Sequence, residues 1–339
     1  MPSLGDTRRI GATALRTTLL GYGSAPLGNR FRELDEDDCR RLVDDAWIRG
    51  IRLFDTAPMY GHGLAENRLG TALRTRPRDE YLLATKVGRL LRPDPHVQPD
   101  AMWANVPPMR IAYDYSYDGT MRSIEDSLQR MLTDRIDIVF IHDCDRYGHG
   151  DNQPAMFEEA IRGATRALLD LRDQKVIGAV GMGVNEADVC VAAAERADFD
   201  VFLLAGRYTL LEQGAIEDLL PLCARRNISL ILGGVFNSGI LASGAKTSAH
   251  HNYAPATENI MERVRRLENL CDRYGITLAA AALQFVLAHE AVACALVGAS
   301  TLEQQASIER AFVSAVPADF WSELRDLGLI RKEAPVPGE

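Results

Sequence analysis

Nowhere in the 339 residues does an apolar run reach the roughly 18 positions that would suggest a bilayer-crossing helix. The opening residues, MPSLGDTRRIG, lack the basic start and apolar core of a secretory signal. A cytoplasmic chain with no membrane partner is therefore expected. Basic clusters are equally scarce. Net charge is −9 and no lysine or arginine cluster exceeds a pair, so there is no stripe to displace counterions from a nucleic acid. The six cysteines stand at 39, 144, 190, 223, 271 and 294 with no Cys-x-x-Cys among them, which argues against a zinc ribbon or a disulfide framework and fits reduced thiols. Gly-x-Gly-x-x-Gly is missing too. GMGVNE at 181–186 comes nearest and lacks the third glycine, which disfavours a Rossmann dinucleotide site.

What is present is a repeat. Hydrophobic content of 47% and charged content of 25% belong to an ordinary globular chain. Eight short apolar runs recur: LLGYGSAP (19–26), IRLFDTA (51–57), YLLATKVG (81–88), DIVFIHD (137–143), VIGAVGMGV (176–184), VFLLAGRY (201–208), SLILGGVF (229–236) and ACALVGAS (293–300). Their near-continuous apolarity suits parallel strands covered on both faces. Amphipathic stretches lie between them. One runs from Asp118 to Thr133, capped by Ser116 or Asp118; another runs from Asn259 to Tyr274 and is closed by Gly275. TLAAAALQFVLA, 277–288, is apolar nearly all round and should lie against the sheet. The order is α/β, and its length suits one domain over 1–339: a (β/α)8 TIM barrel, with an open doubly wound sheet as the alternative. Residues 7–18 resemble an N-terminal hairpin closing the barrel bottom. The stretch 89–117, rich in proline and aromatics, reads as a long loop after strand 3, overhanging the C-terminal face where such barrels keep their sites.

Asp55, Lys86 and His142 end the second, third and fourth runs, and Tyr60 follows Asp55 by five residues. Taken singly these have plain roles as a cap, a turn residue, a solvated strand end and a near-core imidazole. On neighbouring parallel strands, about 4.8 Å apart, they can converge. An ammonium beside a phenol favours the phenolate, a carboxylate holds the ammonium, and an imidazole edge can orient an alcohol or carbonyl oxygen. That set suits proton transfer on an oxygen while hydride moves on the adjoining carbon.

These residues, with LLGYGSAPLG, FDTAPMYGHGLAENRLG, LLATKVG, RIDIVFIHD, IGAVGMGVNE and ALVGASTLEQ, make the chain resemble the aldo-keto reductase superfamily over nearly its full length. The resemblance implies a barrel enzyme using NAD(P), with Asp55, Tyr60, Lys86 and His142 as its catalytic tetrad. Phosphate-binding candidates are GGVFNSGIL after strand 7 (Gly233, Gly234, Val235, Phe236, Asn237, Gly239) and VGASTLEQQ after strand 8 (Gly298, Ala299, Ser300, Gln304), where tight loops would need glycine equally.

The resemblance also marks departures. Where the family grips nicotinamide with Ser-Asn, this chain keeps Asn185. Ala205 stands at the position of a glutamine, with Arg207 or Tyr208 to compensate. Gly233 stands where a stacking tyrosine belongs, and Phe236 is the nearest aromatic. Gly298 and Gln304 replace the lysine and arginine that pair with the 2′-phosphate in NADP-dependent relatives, and Glu303 adds a repelling charge. NAD is thus expected over NADP.

GGVFNSGIL, GMGVNE and DYSYDG (114–119) resemble a subgroup of NAD-linked dehydrogenases acting on L-fucose, D-threo-aldoses, L-galactose or pyridoxal, which oxidise a cyclic hemiacetal hydroxyl to a lactone. Candidate substrate contacts are Asn29, Phe31, Trp103, the tyrosines of 113–117 with Tyr115 among them, Asp143 and Asp145. No metal site is expected: HDCDRYGHGD (142–151) lacks the helical histidine spacing of a metalloprotease. The partner is a small molecule, the assembly a monomer or homodimer. The alternatives are a carbonyl reductase running the same chemistry backwards and a cofactor-sensing subunit with little turnover.

Overall fold

The computed structural model describes residues 2–339. All eight apolar runs form strands: β1 Leu20–Gly23, β2 Leu53–Asp55, β3 Leu82–Val87, β4 Ile138–His142, β5 Ala179–Val184, β6 Val201–Ala205, β7 Ser229–Gly233 and β8 Val292–Val297. Each pairs in parallel with its neighbour. The pairing of β8 with β1, Ala295 opposite Leu20 and Val297 opposite Tyr22, closes the barrel and excludes the open sheet.

Two layers of apolar side chains explain the unbroken runs. On β4, Ile138 and Phe140 fill the barrel interior with Leu53, Ala84 and Val201, while Val139 and Ile141 face the surrounding helices. Both faces are dry, so neither alternates with polar residues. Gly181 on β5 belongs to this packing, since a Cβ there would sit 2.5 Å from the Phe140 ring.

An antiparallel hairpin, Thr7–Arg9 with Arg16–Thr18, seals the N-terminal end as expected. Ile10 at its tip is fully buried in the interior cluster, and Arg8 Nη1 donates to Val292 O at 2.5 Å. The helix Tyr117–Met131 takes Ser116 as its cap, the Ser116 side chain accepting from Gly119 N. The helix Glu258–Tyr274 begins one residue earlier than read and closes on Gly275 at φ 63°. Helix Leu278–Leu287 is buried throughout except at Ala279, consistent with packing against the barrel. No single helix among the described residues is long and apolar enough to cross a membrane.

The stretch 89–117 corrects the expectation of a plain loop. Arg89–Pro93 and Met109–Tyr113 pair antiparallel, so a hairpin stands on the C-terminal rim, with 94–108 and 114–116 irregular. A second small hairpin, His250–His251 with Ala254–Pro255, rises after β7 and carries Tyr253 at its turn.

Candidate active site

Asp55 is the last residue of β2, His142 the last of β4, and Lys86 the penultimate residue of β3. Their strands are adjacent, and all three residues stand at the same end of the barrel. Lys86 Nζ donates to Asp55 Oδ1 at 2.9 Å, Asp55 Oδ2 at 2.7 Å and Thr56 O at 2.7 Å, with both side chains almost wholly buried. Tyr60 completes the group: Lys86 Nζ lies 4.8 Å from the centre of its ring, and the His142 ring stands edge-on to it at 6.0 Å. The loop carrying Tyr60 is set by backbone contact. Gly61 has φ 61° and presses against Gly28 of the loop after β1, where a Cβ would come within 2.7 Å of Gly61 N.

Burial dominates the electrostatics. It pulls the Lys86 ammonium down, but Asp55 and Tyr60 outweigh it and hold the group charged. It pushes the Tyr60 phenol above its ordinary value of 10.0, with Lys86 pulling the other way and Asp55 and Asp143 adding to the rise. The expectation of a net acidified phenol is therefore corrected: Lys86 moderates the rise without reversing it. His142 is pushed well below 6.5 by burial first, then by Arg89 and Lys86, and is a neutral imidazole. The arrangement can hold a proton on Tyr60, steady a phenolate once that proton has gone, and offer a neutral imidazole edge to an oxygen.

Tyr60, Lys86 and His142 line a cleft of about 600 Å³ with Met59, Met102, Trp103, Tyr147, Tyr253 and Arg30. Of the expected substrate contacts, Trp103 and Asp143 line it, Trp103 lying 6.0 Å from the Tyr60 ring. Four are placed elsewhere. Asn29 is buried and ties loops together, its Oδ1 accepting from Leu34 N at 3.0 Å and Arg68 Nη1 at 2.7 Å. Phe31 is 70% exposed beneath the Arg30 guanidinium. Tyr115 is fully buried and donates its hydroxyl to His142 O at 2.6 Å, so it supports the histidine from behind. Asp145 caps the short helix Arg146–His149 and also accepts from Asn185 N at 2.6 Å.

The residues expected to hold a cofactor divide similarly. Asn185 reaches the cleft, with its Nδ2 turned to Asp143 and Asp145 and its Oδ1 free of any donor among the described residues. Gly233 ends β7, Gly234 turns at φ 60°, and the amides of Gly234, Val235 and Phe236 find no acceptor among the described residues. Gly239, at φ 97°, faces open space. An unpaired amide oxygen and a run of unpaired N–H groups at the same rim fit the carboxamide and pyrophosphate of a nicotinamide dinucleotide.

Neither aromatic substitute lines the cleft. Tyr208 is buried against Phe285 at 5.3 Å, outside the cleft, and Phe236 packs on the outer core. Gly206 at φ 67° and Gly234 turn the chain before these rings can reach the interior. Arg207 is spent on Asn252 Oδ1 at 2.7 Å, and Asn237 is buried, bridging Thr209 and Gly206. After β8, Gly298 abuts Pro26, Ala299 is buried, and Gln304 Oε1 caps Ser300 N at 2.8 Å. Ser300 O accepts from Arg32 Nη2 at 2.5 Å, a cation from the loop after β1 that sequence reasoning missed. Arg30, Tyr147, Tyr253 and the two methionines were missed as well, for they come from loops whose folding joins distant segments. Among the described residues no group of three or more His, Cys, Asp or Glu is placed to hold a metal ion.

Comparison with known proteins follows the same lines. Residues 19–328 match the aldo/keto reductase family. Pyridoxal 4-dehydrogenase of Microbacterium luteolum is 42% identical over 336 residues, spanning 96% of this chain and 98% of that protein. D-threo-aldose 1-dehydrogenase of a Pseudomonas species is 38% identical over 325 residues, spanning 94% and 96%. Among solved structures, a glycerol dehydrogenase from Gluconobacter oxydans superposes with a TM-score of 0.72 over 99% of this chain and 98% of that one, at 22% identity, a likeness of fold alone.

Proposed function

The chain belongs to the aldo/keto reductase family and is an oxidoreductase; from that premise we propose that it is an NAD-linked dehydrogenase. Its substrate is a cyclic hemiacetal, either an aldose of the L-fucose or D-threo-aldose type or pyridoxal, and its product is the lactone. The observation that carries this reading is Lys86, buried between the Asp55 carboxylate and the Tyr60 ring. A lysine so placed has no solvent role, and its charge acts on the phenol.

The steps assigned to the protein are these. The substrate hydroxyl sits between Tyr60 and the His142 edge. Tyr60, as phenolate, takes the hydroxyl proton; Lys86 stabilises that phenolate beforehand and Asp55 holds Lys86 in place. Neutral His142 steadies the oxygen as a carbonyl forms on it. A bound nicotinamide would supply the hydride acceptor, and Asn185, the amides after β7 and the loop after β8 would hold it. Trp103 and the thioethers of Met59 and Met102 exclude water from the reacting carbon.

Because burial holds the phenol above 10.0, Tyr60 is protonated at neutral pH. The oxidation rate should therefore climb with pH, by up to about tenfold per unit while the phenolate is the scarce form, and aldehyde reduction by the same enzyme should not. Rates from pH 6 to 10 in both directions check this, and an oxidation rate flat across that range would remove Tyr60 as the base. The raised phenol also favours the reverse reading, carbonyl reduction, in which a protonated Tyr60 donates. The four intact side chains count against a cofactor sensor with little turnover.

Neutral Gln304 and acidic Glu303 at the first turn after β8 support NAD over NADP. We expect kcat/KM with NAD to exceed that with NADP by at least about tenfold, since Gln304 offers a 2′-phosphate no charge-assisted partner and the nearby Arg32 is engaged by Ser300 O. The test of the whole reading is incubation with L-fucose, L-galactose, D-arabinose and pyridoxal, each with NAD and NADP, following reduced-nicotinamide absorbance and lactone formation. No lactone from any of the four would sink it, and preference for NADP would overturn the cofactor assignment.

A further inference from the structure

Asp143, the residue after β4, is held in an unusual way. Its backbone is left-handed at φ 45°, a region that non-glycine residues visit seldom and Asp more readily than most. Its N–H donates to Gly183 O on β5 at 2.8 Å. Its carboxylate is buried and has three neighbours. Arg89 Nη2, three residues past Lys86, donates to Oδ2 at 2.5 Å. Asn185 Nδ2 donates to Oδ1 at 3.1 Å. His142 Nε2 lies 3.3 Å from Oδ2.

Two of those neighbours face the cleft, and each has two chemically different ends. A neutral imidazole carries one proton, on either nitrogen, and the nitrogen with an acceptor takes it. His142 Nδ1 is buried with no partner, whereas Nε2 has the Asp143 carboxylate 3.3 Å away, an ionic contact rather than an aligned hydrogen bond. The side-chain amide of Asn185 presents either its oxygen or its NH2. Two carboxylates, Asp143 and Asp145, draw the NH2 and leave Oδ1 toward the cleft.

We propose that Asp143, pinned by Arg89, is a positioning residue that keeps the proton of His142 on Nε2 and turns the Asn185 oxygen to the cleft. One carboxylate thereby orients both the group that faces the reacting oxygen and the group that faces the cofactor. The 3.3 Å separation is long for a charge-assisted hydrogen bond, so the same N–H remains available to a substrate oxygen. The catalytic half of this inference rests on the dehydrogenase reading; the tautomer does not.

Asp143 can do this only when ionised. Burial pushes it up to about 6, while Arg89 and Lys86 pull it down and Asp145 adds to the rise. The other charged or titratable groups facing it are His142 beside it, Tyr60 across the cleft, Tyr115 behind, Cys144 next in chain, and Tyr147 and Tyr253 at the mouth. Above about pH 6 the carboxylate is present and the arrangement stands. Below that value protonation removes the acceptor, His142 is released, and the Asn185 amide keeps only Asp145.

The decisive measurement is 15N NMR of the full chain labelled at histidine, with His142 identified by subtraction of a His142→Gln sample, and no substrate or cofactor present. At pH 7.5 His142 should be the Nε2–H tautomer, and acidification through pH 6 should shift its signals towards a tautomer mixture. Asp143→Asn should remove that shift. With NAD and the best substrate of the screen, the same variant should lose on the order of tenfold to a hundredfold in kcat, as outer partners of oriented histidines do. It should also lose the acid limb of the wild-type pH profile. An Nδ1–H tautomer in the wild-type protein overturns the inference, without need of any variant. So does a variant with unchanged tautomer, even if its activity has fallen, because that fall would then be structural. A positive tautomer result with no lactone formation would leave the positioning intact and fault the dehydrogenase reading instead.

Discussion

Replacing Tyr60 by phenylalanine should lower turnover by about 10²- to 10⁴-fold while leaving NAD binding nearly unchanged, the usual reach of a general acid–base group. The ring stays, so its contacts with Trp103, with the His142 edge and with the Lys86 ammonium stay too. Only the oxygen that carries the proton is removed. Steady-state kinetics with the best lactol, beside a fluorescence titration with the cofactor, separate the two effects. Retained turnover would show that another group takes the proton.

The second large effect concerns Lys86. Lys86→Met keeps the length of the side chain but leaves Asp55 as a carboxylate with 2% exposure and no cation. Breaking a buried pair from one side costs about 3–5 kcal/mol, because the remaining charge has lost its only compensation. A denaturant titration should show that loss together with the collapse of activity. Adding Asp55→Leu should restore much of the stability, since replacing both partners by apolar groups can be nearly neutral, and should restore none of the activity. Stability and turnover would then part company in one pair of variants. If the single variant were as stable as the wild-type protein, the pair would not be the buried ionic contact drawn here.

Both expectations concern residues whose placement could be read before any coordinates. A barrel strand dry on both faces writes itself as an unbroken apolar run, so eight runs gave eight strands, and a polar residue at the end of such a run stands at the rim. The failures have equally physical causes. VFLLAGRY was read as one strand to Tyr208, but Gly206 turns left-handed and sends the tyrosine outward into the helix layer. In 89–117 proline, charge and aromatic residues alternate without a clean period, and the hairpin becomes visible only when Arg89 meets Tyr113 across 24 residues of chain. Asp143 was legible as a cleft residue, yet not its partners: Arg89 is 54 residues away in sequence and Asn185 is 42. Contacts of that range leave no local mark in a single chain. The sign of the Tyr60 shift was misjudged for a related reason. A neighbouring ammonium can be guessed from a motif, but the depth of burial that outweighs it cannot.

The floor of the barrel carries a kinetic consequence. With Ile10 corking the lower end, whatever dinucleotide and substrate the cleft takes must pass through the same doorway. A substrate seated over Tyr60 would stand in the path of a nicotinamide bound beneath it. If the dinucleotide lies beneath the substrate, it should arrive first and depart last, an order that product-inhibition kinetics would check.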